Sequence, residues 1–200
     1  QGLPFAMPKI NGKQLVESIQ EFNSSIPWRS LTASMMLLDS HDTARFRTVV
    51  LGDKKAHASA MTMMLTYPGV PSIFAGDEIG LEGSWGEDAR RTINWDDRNG
   101  WDFEFMAEVK KLVSLRRTQD ALINGGLRWV KAENEYVVYL RESSKQSILV
   151  LVSRGPINAT IDLSQYGYSV SKTLYGEEVK GQSFTIKSEG ATQGVWVVTR

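Results

Sequence analysis

Carboxylates follow each of two apolar segments in the first half of the chain. Asp42 stands beside His41 after residues 35–38, and an Asp-Glu pair at 77–78 follows residues 70–75. In parallel α/β sheets, ligands bind at the carboxyl ends of the strands, where the loops converge. If both segments are neighbouring parallel strands, their carboxylates share one site.

The segment that follows these carboxylates is rich in tryptophan and charged residues. It contains Trp85, Asp88, Arg90, Trp95 and Trp101. Aromatic faces cover the apolar C–H surfaces of sugars, while carboxylates, imidazole and guanidinium groups bind hydroxyls in fixed directions. This combination of aromatic and charged residues favours a sugar-binding site. We expect Trp95 to pack the loop onto the end of the barrel. For Trp85 the sequence does not decide between packing and sugar binding.

A purely structural interpretation of the same residues stands beside the functional one. Asp42 or Thr43 can cap the next helix, and Glu78 can pair with an arginine. No metal-ligand spacing of histidines or aspartates is present, and there is neither a serine nucleophile elbow nor a phosphate-binding loop. We predict His57, in a helix-like segment, to be a surface or packing residue.

Composition narrows the class of ligand. The 200 residues include 23 basic and 23 acidic side chains, so no net field favours nucleic acid or an anionic membrane surface. A hydrophobic content of 42% is enough for a substantial core, and the absence of cysteine excludes disulfides and thiolate chemistry. Apolar runs are shorter than a membrane span of ~20 residues. These features allow a neutral ligand.

Apolar periodicity predicts the elements that must position these groups. Helical patterns cover residues 15–22, 55–66 and 102–117, and they alternate with buried strands at 35–38 and 70–75. This alternation is typical of βα units around a parallel sheet. A closed (β/α)8 barrel needs eight strands and ~250 residues. We therefore expect the chain to begin inside a longer protein, and its open sheet edge predicts association into a homo-oligomer.

The pattern changes near residue 125, where Asn124, Gly125 and Gly126 end the helical periodicity. Short alternating runs separated by turn residues then predict a small antiparallel β-sandwich. We place a domain boundary there, with residues 1–125 in one domain and 126–200 in the other. The predicted strands are 136–141, 147–152, 159–163, 171–175, 183–187 and 194–199.

Three segments resemble the α-amylase superfamily, glycoside hydrolase family 13. Residues 37–46 (LLDSHDTARF) resemble its segment after the seventh barrel strand, and 67–81 (YPGVPSIFAGDEIGL) its eighth-strand segment. Residues 90–96 (RRTINWD) resemble the loop that follows. The helix ending at 112–117 and the β domain extend the resemblance over nearly the whole chain. The branch it resembles is the neopullulanase, cyclomaltodextrinase and maltogenic-amylase type.

The resemblance implies the C-terminal part of a (β/α)8 TIM barrel followed by a β-sandwich. It further implies a retaining hydrolase or transglycosylase of α-glucans, with nucleophile and general acid on strands that precede Gln1. Asp42 would be the third carboxylate, which stabilises the transition state. His41, Arg90 and Asp88 would bind the substrate. This chain alone would be inactive.

Ser40 departs from the family pattern, which often has Asn there; a serine still allows a hydrogen bond. The 77–78 pair is expected to be structural. The implied partner is an α-glucan or maltooligosaccharide, with no nucleic acid and no membrane. No cofactor or metal is predicted in this chain, and a calcium ion would belong to regions outside it. Two alternatives remain: a glucan-binding module built on the β domain, and a non-catalytic family member that is a structural partner of another protein.

Overall fold

The computed structural model describes residues 9–200. The first eight residues lie outside this range. The helices are α1 Gly12–Ser24, α2 Trp28–Ala33, α3 Phe46–Val49, α4 Lys54–Thr66, α5 Phe103–Thr118 and α6 Asp120–Asn124. Short 3₁₀ turns lie at Asp77–Ile79, Gly86–Arg90 and Ser164–Tyr166.

The strands fall into three sheets. The pair β1–β2 is parallel, five strands form an antiparallel sheet in the order β3-β4-β5-β9-β7, and β6 pairs with β8. The strands are β1 Met35–Met36, β2 Val70–Pro71, β3 Gly126–Ala132, β4 Tyr136–Glu142, β5 Ser147–Ser153, β6 Ile157–Asp162, β7 Ser169–Tyr175, β8 Ser183–Ser188 and β9 Thr192–Thr199. The three long helices and the six strands predicted after residue 126 are confirmed, whereas the short helices α2, α3 and α6 and the strand β3 were missed.

The helices begin where side chains satisfy their first free N–H groups. In α1, Asn11 and Gln14 form a reciprocal capping box. Asp53 accepts hydrogen bonds from two backbone N–H groups at the start of α4, and Asp102 accepts one from Phe105 N at the start of α5. These polar residues define where the apolar periodicity becomes helix.

The two parallel strands are shorter and more exposed than predicted. Met35 pairs with Val70 and Met36 with Pro71, and β1 and β2 extend no further. Met35 is 63% exposed and Val70 is 52% exposed, so the prediction of buried strands was wrong. The reason is that, within residues 9–200, no third strand extends this pair, and its apolar faces are only partly covered.

Strand β4 is buried on both faces because two different layers cover it. Val137 and Tyr139 belong to a core cluster shared with α4 and α5, whereas Val138 and Leu140 belong to a second cluster shared with β6 and β8. Alternate residues of a strand point to opposite faces of its sheet. The five-stranded sheet is therefore the middle layer of this part of the chain.

The first cluster runs across residue 125. It contains Met61 of α4 and Leu112 of α5 together with Val150 of β5. Gly12 at the start of α1 also lies against the β3–β4 turn, where a Cβ would stand 2.2 Å from the Glu133 carbonyl oxygen. The helical part and the β part thus share a core, and their division into domains at residue 125 stays a prediction.

A buried arginine joins these two parts. Arg141 of β4 is 1% exposed and donates to the carbonyls of Leu122 and Gly125 at 3.2 and 2.8 Å, and also to that of Thr66. Thr66 and Leu122 lie near the C-terminal ends of α4 and α6, where carbonyls lack helical partners and the helix dipole favours a cation. Burial lowers the pKa of Arg141 to about 10, so it stays charged at neutral pH.

No helix among residues 9–200 is long and apolar enough to cross a lipid bilayer.

We predict that Arg141→Met lowers the free energy of unfolding by at least about 3 kcal/mol, because several buried carbonyls lose their donor. Urea unfolding followed by circular dichroism measures this. The matched control is Arg128→Met, since Arg128 on β3 is exposed and pairs with Glu142 at 2.8 Å. It should change stability by less than about 1 kcal/mol. Equal losses in both variants would contradict the role assigned to Arg141.

Candidate functional site

The loop after β1 presents Asp42 at the surface. The Ser40 hydroxyl accepts a hydrogen bond from the Asp42 backbone N–H at 3.2 Å, and the Thr43 hydroxyl accepts one from Ser40 N at 3.0 Å. Ser40 therefore makes the hydrogen bond expected of it. Neither Asp42 nor Thr43 caps α3, so the capping alternative was wrong: the N-cap is Arg45, without a side-chain hydrogen bond.

Three of the four predicted site residues meet at this loop. The Asp42 carboxylate lies 3.3 Å from His41 Nε2 and 3.3 Å from an Arg90 terminal nitrogen. Arg90 Nε also donates to the His41 carbonyl at 3.0 Å, and its other terminal nitrogen contacts Glu87 at 3.2 Å. Side chains of Asp42, His41 and Arg90 are 69%, 63% and 43% exposed. The Asp42 carboxylate is therefore accessible to solvent and has hydrogen-bond donors of His41 and Arg90 beside it.

The fourth predicted residue, Asp88, is engaged elsewhere. Its carboxylate accepts hydrogen bonds from the N–H and hydroxyl of Ser84 at 2.6 and 2.9 Å, and from Arg91 Nε at 2.8 Å. These bonds, led by the one from the Ser84 backbone, lower the pKa of Asp88 to about 2. Asp88 makes no hydrogen bond or ion pair with Asp42, His41 or Arg90.

A second buried arginine sets the positions of the site loops. Arg45 is 2% exposed, and its guanidinium donates to the Ala75 carbonyl at 3.0 Å, to Asp77 at 2.9 Å and to the Ala89 carbonyl at 2.9 Å. It also lies 4.0 Å above the ring of Phe74. One side chain thus links the Asp42 loop to the segment after β2 and to the turn that carries Arg90.

Asp77 behaves as the structural residue that we predicted. Besides its ion pair with Arg45, it lies near the buried carboxylate of Asp39, one oxygen of which accepts a hydrogen bond from Phe46 N at 2.5 Å. Burial, and next the neighbouring Asp39, raise the pKa of Asp77 well above its ordinary value despite Arg45. Two carboxylates beside one buried cation disfavour a second negative charge, which is the physical reason for the raised pKa. Glu78 accepts from Gly76 N at 2.8 Å, which also orders this turn.

His57 is a packing residue. It is fully buried between Phe46 and Phe105, with ring centroids 5.4 and 4.4 Å away, and its Nδ1 accepts a hydrogen bond from Arg47. Burial, followed by the charge of Arg47, lowers its pKa to about 3, so it is neutral under ordinary conditions. It takes no part in the Asp42 cluster.

Trp95 packs less than predicted. Its ring meets Trp101 edge-on at 5.5 Å, yet the side chain is 62% exposed. Trp85, for which the sequence did not decide between packing and binding, is 51% exposed.

Within residues 9–200, no group of three or more histidine or acidic side chains is arranged to hold a metal ion.

Sequence reasoning missed Arg45, Asp39 and Glu87. Asp39 and Arg45 lie in the same ten-residue segment as Asp42, so proximity was a signal. The partners of the Arg45 side chain stand 30 or more positions away, however, and nothing local indicates that Arg45 or Asp39 is buried. Glu87 is three residues before Arg90 in a 3₁₀ turn, a spacing that brings side chains together.

Residues 3–122 match the family model described as Alpha amylase, catalytic domain. The chain belongs to the alpha-amylase family. This match covers both site loops and the helices around them, so the family segments identified in the sequence are confirmed as such.

Relatives of this alpha-amylase family member include a cyclomaltodextrinase from a Bacillus species, 33% identical over 75% of this chain and 26% of the relative. Neopullulanase 2 from Thermoactinomyces vulgaris is 31% identical over 92% of this chain and 32% of the relative. The native debranching enzyme of Nostoc punctiforme superposes with a TM-score of 0.83 at 26% identity, over 96% of this chain and 41% of that one. These names confirm the predicted branch, and the chain spans about a quarter to a third of the curated relatives' length.

We predict that Arg45→Met destabilises this alpha-amylase family chain by about 3–5 kcal/mol, because Asp77 then loses its buried counter-ion. Urea unfolding measures the loss. Arg29→Met, at an exposed position of α2, should change stability by less than about 0.5 kcal/mol. A loss of similar size in both variants would show that Arg45 does not organise the loops.

The Asp39–Asp77 pair also predicts a pH dependence. Above the ordinary carboxyl pKa of about 4, the folded chain keeps a proton that the unfolded chain has released. The free energy of unfolding therefore falls as the pH rises through the raised pKa of Asp77. Asp39→Asn removes the neighbouring negative charge that helps to raise the pKa of Asp77 and keeps an oxygen for Phe46 N, so the stability of this variant should vary less with pH. Unfolding at several pH values tests this; equal slopes in the parent chain and the variant would contradict the effect of Asp39 on Asp77.

Proposed function

We propose that this chain is the C-terminal part of an α-glucan hydrolase or transglycosylase that cleaves α-glucosidic bonds with retention. Starch-like maltooligosaccharides are the proposed substrates. The proposal rests on family membership and on relatives named cyclomaltodextrinase and neopullulanase, of which this chain spans only a part.

The observation that carries the proposal is the meeting of Asp42, His41 and Arg90 at the end of β1. In the transition state of glycoside cleavage, the sugar ring gains oxocarbenium-like positive charge and its hydroxyls shift. The negative charge of Asp42 would stabilise that ring, and it can accept hydrogen bonds from sugar hydroxyls. His41 and Arg90 would hold neighbouring hydroxyls and keep Asp42 oriented when no sugar is bound.

Retaining cleavage needs two further carboxyl groups, a nucleophile and a general acid, roughly 5–5.5 Å apart across the scissile bond. We assign both to segments outside this chain, in the part of the relatives that it does not span. The 200 residues alone would therefore bind sugar without turning it over.

The layout we propose is the last βα units of a (β/α)8 barrel in residues 1–125, followed by a β-sandwich in 126–200. Support for the barrel comes from the parallel pair β1–β2, which α4 connects. Support for the sandwich comes from the cluster shared by the five-stranded sheet and the β6–β8 pair. Further barrel strands would cover the exposed faces of Met35 and Val70.

We propose that Asp88 binds sugar in a subsite next to Asp42, on the condition that it does so together with Arg91. Its side chain is 37% exposed, but both of its oxygens already accept hydrogen bonds from Ser84 and Arg91. It would therefore reach a sugar hydroxyl together with Arg91, and it also orders the turn that presents Arg90.

The test is a chimera in which this chain replaces the matching third of neopullulanase 2 from Thermoactinomyces vulgaris. We expect turnover of maltotetraose by the chimera and none by the 200-residue chain. Asp42→Asn should lower kcat of the chimera by at least about 100-fold, since charge stabilisation in the transition state is lost. Asp88→Asn, in the turn that carries Arg90, is the comparison variant and should act mainly on KM.

Two results would contradict the proposal. Measurable turnover by the pure 200-residue chain would refute the assignment of the nucleophile and acid to other segments. An active chimera that keeps its kcat after Asp42→Asn would refute the role of Asp42. Should the chimera not fold, nuclear magnetic resonance titration of the 200-residue chain with maltotetraose provides the second measurement. Shifts at His41 and Asp42 are expected, and their absence would count against the site.

A further inference from the structure

Three aromatic rings contact one another on the segment that follows Arg90 and leads into α5. The ring centroids of Trp95 and Trp101 are 5.5 Å apart at 77°, and those of Trp101 and Phe103 are 6.0 Å apart at 38°. We call these three residues the Trp95 patch. Trp95 is 62% exposed and Phe103 is 51% exposed. Single exposed apolar side chains are ordinary, but three rings in contact form a surface that a ligand can cover.

The backbone under the Trp95 patch is held in place before any ligand binds. The Asn94 side-chain oxygen accepts from the N–H groups of Asp96 and Asp97 at 3.2 and 3.1 Å, which fixes the turn after Trp95. Trp101 N donates to Arg98 O at 3.0 Å. Such order lowers the entropy that binding would otherwise cost.

The far end of the patch is fixed to the core. Asp102, between Trp101 and Phe103, donates its N–H to Ile79 O at 3.0 Å, and its carboxylate pairs with Arg47 and Lys54 at 3.2 and 3.0 Å. Its side chain also caps α5. The rings of the Trp95 patch therefore sit on a segment tied to α4, α5 and the turn after β2.

Polar groups around the rings define the class of ligand. The Arg98 guanidinium lies 5.0 Å over the Trp101 ring, and its only hydrogen bond among the described residues is a 3.4 Å contact with Trp95 O. The carboxylate of Asp96 has no hydrogen-bond or ion-pair partner in residues 9–200. Donors and acceptors thus stand beside flat apolar faces, the combination that sugars require.

The charge balance argues against the other ligands that stack on aromatic rings. Asp96 and Asp97 outnumber the one cation, Arg98, on the exposed side of this segment. Nucleic acids and anionic membrane surfaces need a positive field to hold their phosphates. A neutral, hydroxyl-rich chain carries no such requirement.

From these observations we propose that the Trp95 patch is a second saccharide-binding site, separate from the Asp42 cluster, where α-glucan chains stack on Trp95 with hydroxyls bound by Arg98 and Asp96. The choice of an α-glucan rests on the proposed function. The site would hold a remote stretch of a long substrate while a nearer part occupies the Asp42 cluster.

The experiment is a titration of the 200-residue chain with maltoheptaose, followed through the indole N–H signals of its six tryptophans. Signals of Trp95 and Trp101 are expected to shift. Trp95→Ala should weaken binding at the patch at least about tenfold, since one large aromatic anchor dominates such contacts. Trp28→Ala is the matched control, because Trp28 on α2 is also exposed, at 45%; it should leave the affinity unchanged.

The outcomes separate this inference from the proposed function. Unchanged Trp95 and Trp101 signals, or equal affinity after Trp95→Ala, overturn the second site even if turnover by the chimera depends on Asp42. A Trp101 shift that persists in Asp42→Asn and vanishes in Trp95→Ala supports it, whatever the chimera does. Loss of the Trp95 shifts in Asp42→Asn would show that the patch is no separate site and would overturn the inference.

Discussion

The arrangement of the site depends on one buried guanidinium. Arg45 binds two backbone carbonyls and the Asp77 carboxylate, and these acceptors belong to segments separated along the chain. A guanidinium stays charged and offers donors in a rigid plane, so it can be buried only where acceptors lie in matching directions. Moving any of the three segments would leave a buried charge or carbonyl unpaired. The loop carrying Asp42 and the turn carrying Arg90 are therefore held in one relative position.

The ion pairs and hydrogen bonds in the exposed part of the site contribute little to the stability of the fold. Asp42, His41 and Arg90 are all largely in solvent, where ion pairs contribute about 0–1 kcal/mol. Weak contacts at the surface suit a binding site, because a sugar hydroxyl can replace them at low cost. The buried residues beneath hold the site in order, and the raised pKa of Asp77 beside Asp39 limits the negative charge buried there.

A buried arginine that donates to backbone carbonyls also joins the helical part to the β part. Arg141 is buried and donates to the Thr66 carbonyl at the end of α4. Together with the first core cluster, it joins α4 to the five-stranded sheet. The change of pattern near residue 125 thus marks a change of secondary structure, while packing continues across it. The aromatic surface around Trp95 lies on a segment anchored in this common frame.

The sequence by itself determined the family, the long helices, the strands of the β part and the clustering of His41, Asp42 and Arg90. The elements follow from local periodicity, His41 and Asp42 are adjacent in the chain, and the place of Arg90 follows from the family resemblance. Asp88 binds Ser84 and Arg91 in its own turn, and only the folded turn shows which neighbours its two oxygens take. The tertiary structure alone decided that Arg45 is buried, that β1 is exposed and that Trp95 stands out from the surface. These outcomes depend on partners distant along the chain, or on layers present or absent around an element, and burial and pairing of that kind leave no periodic signal.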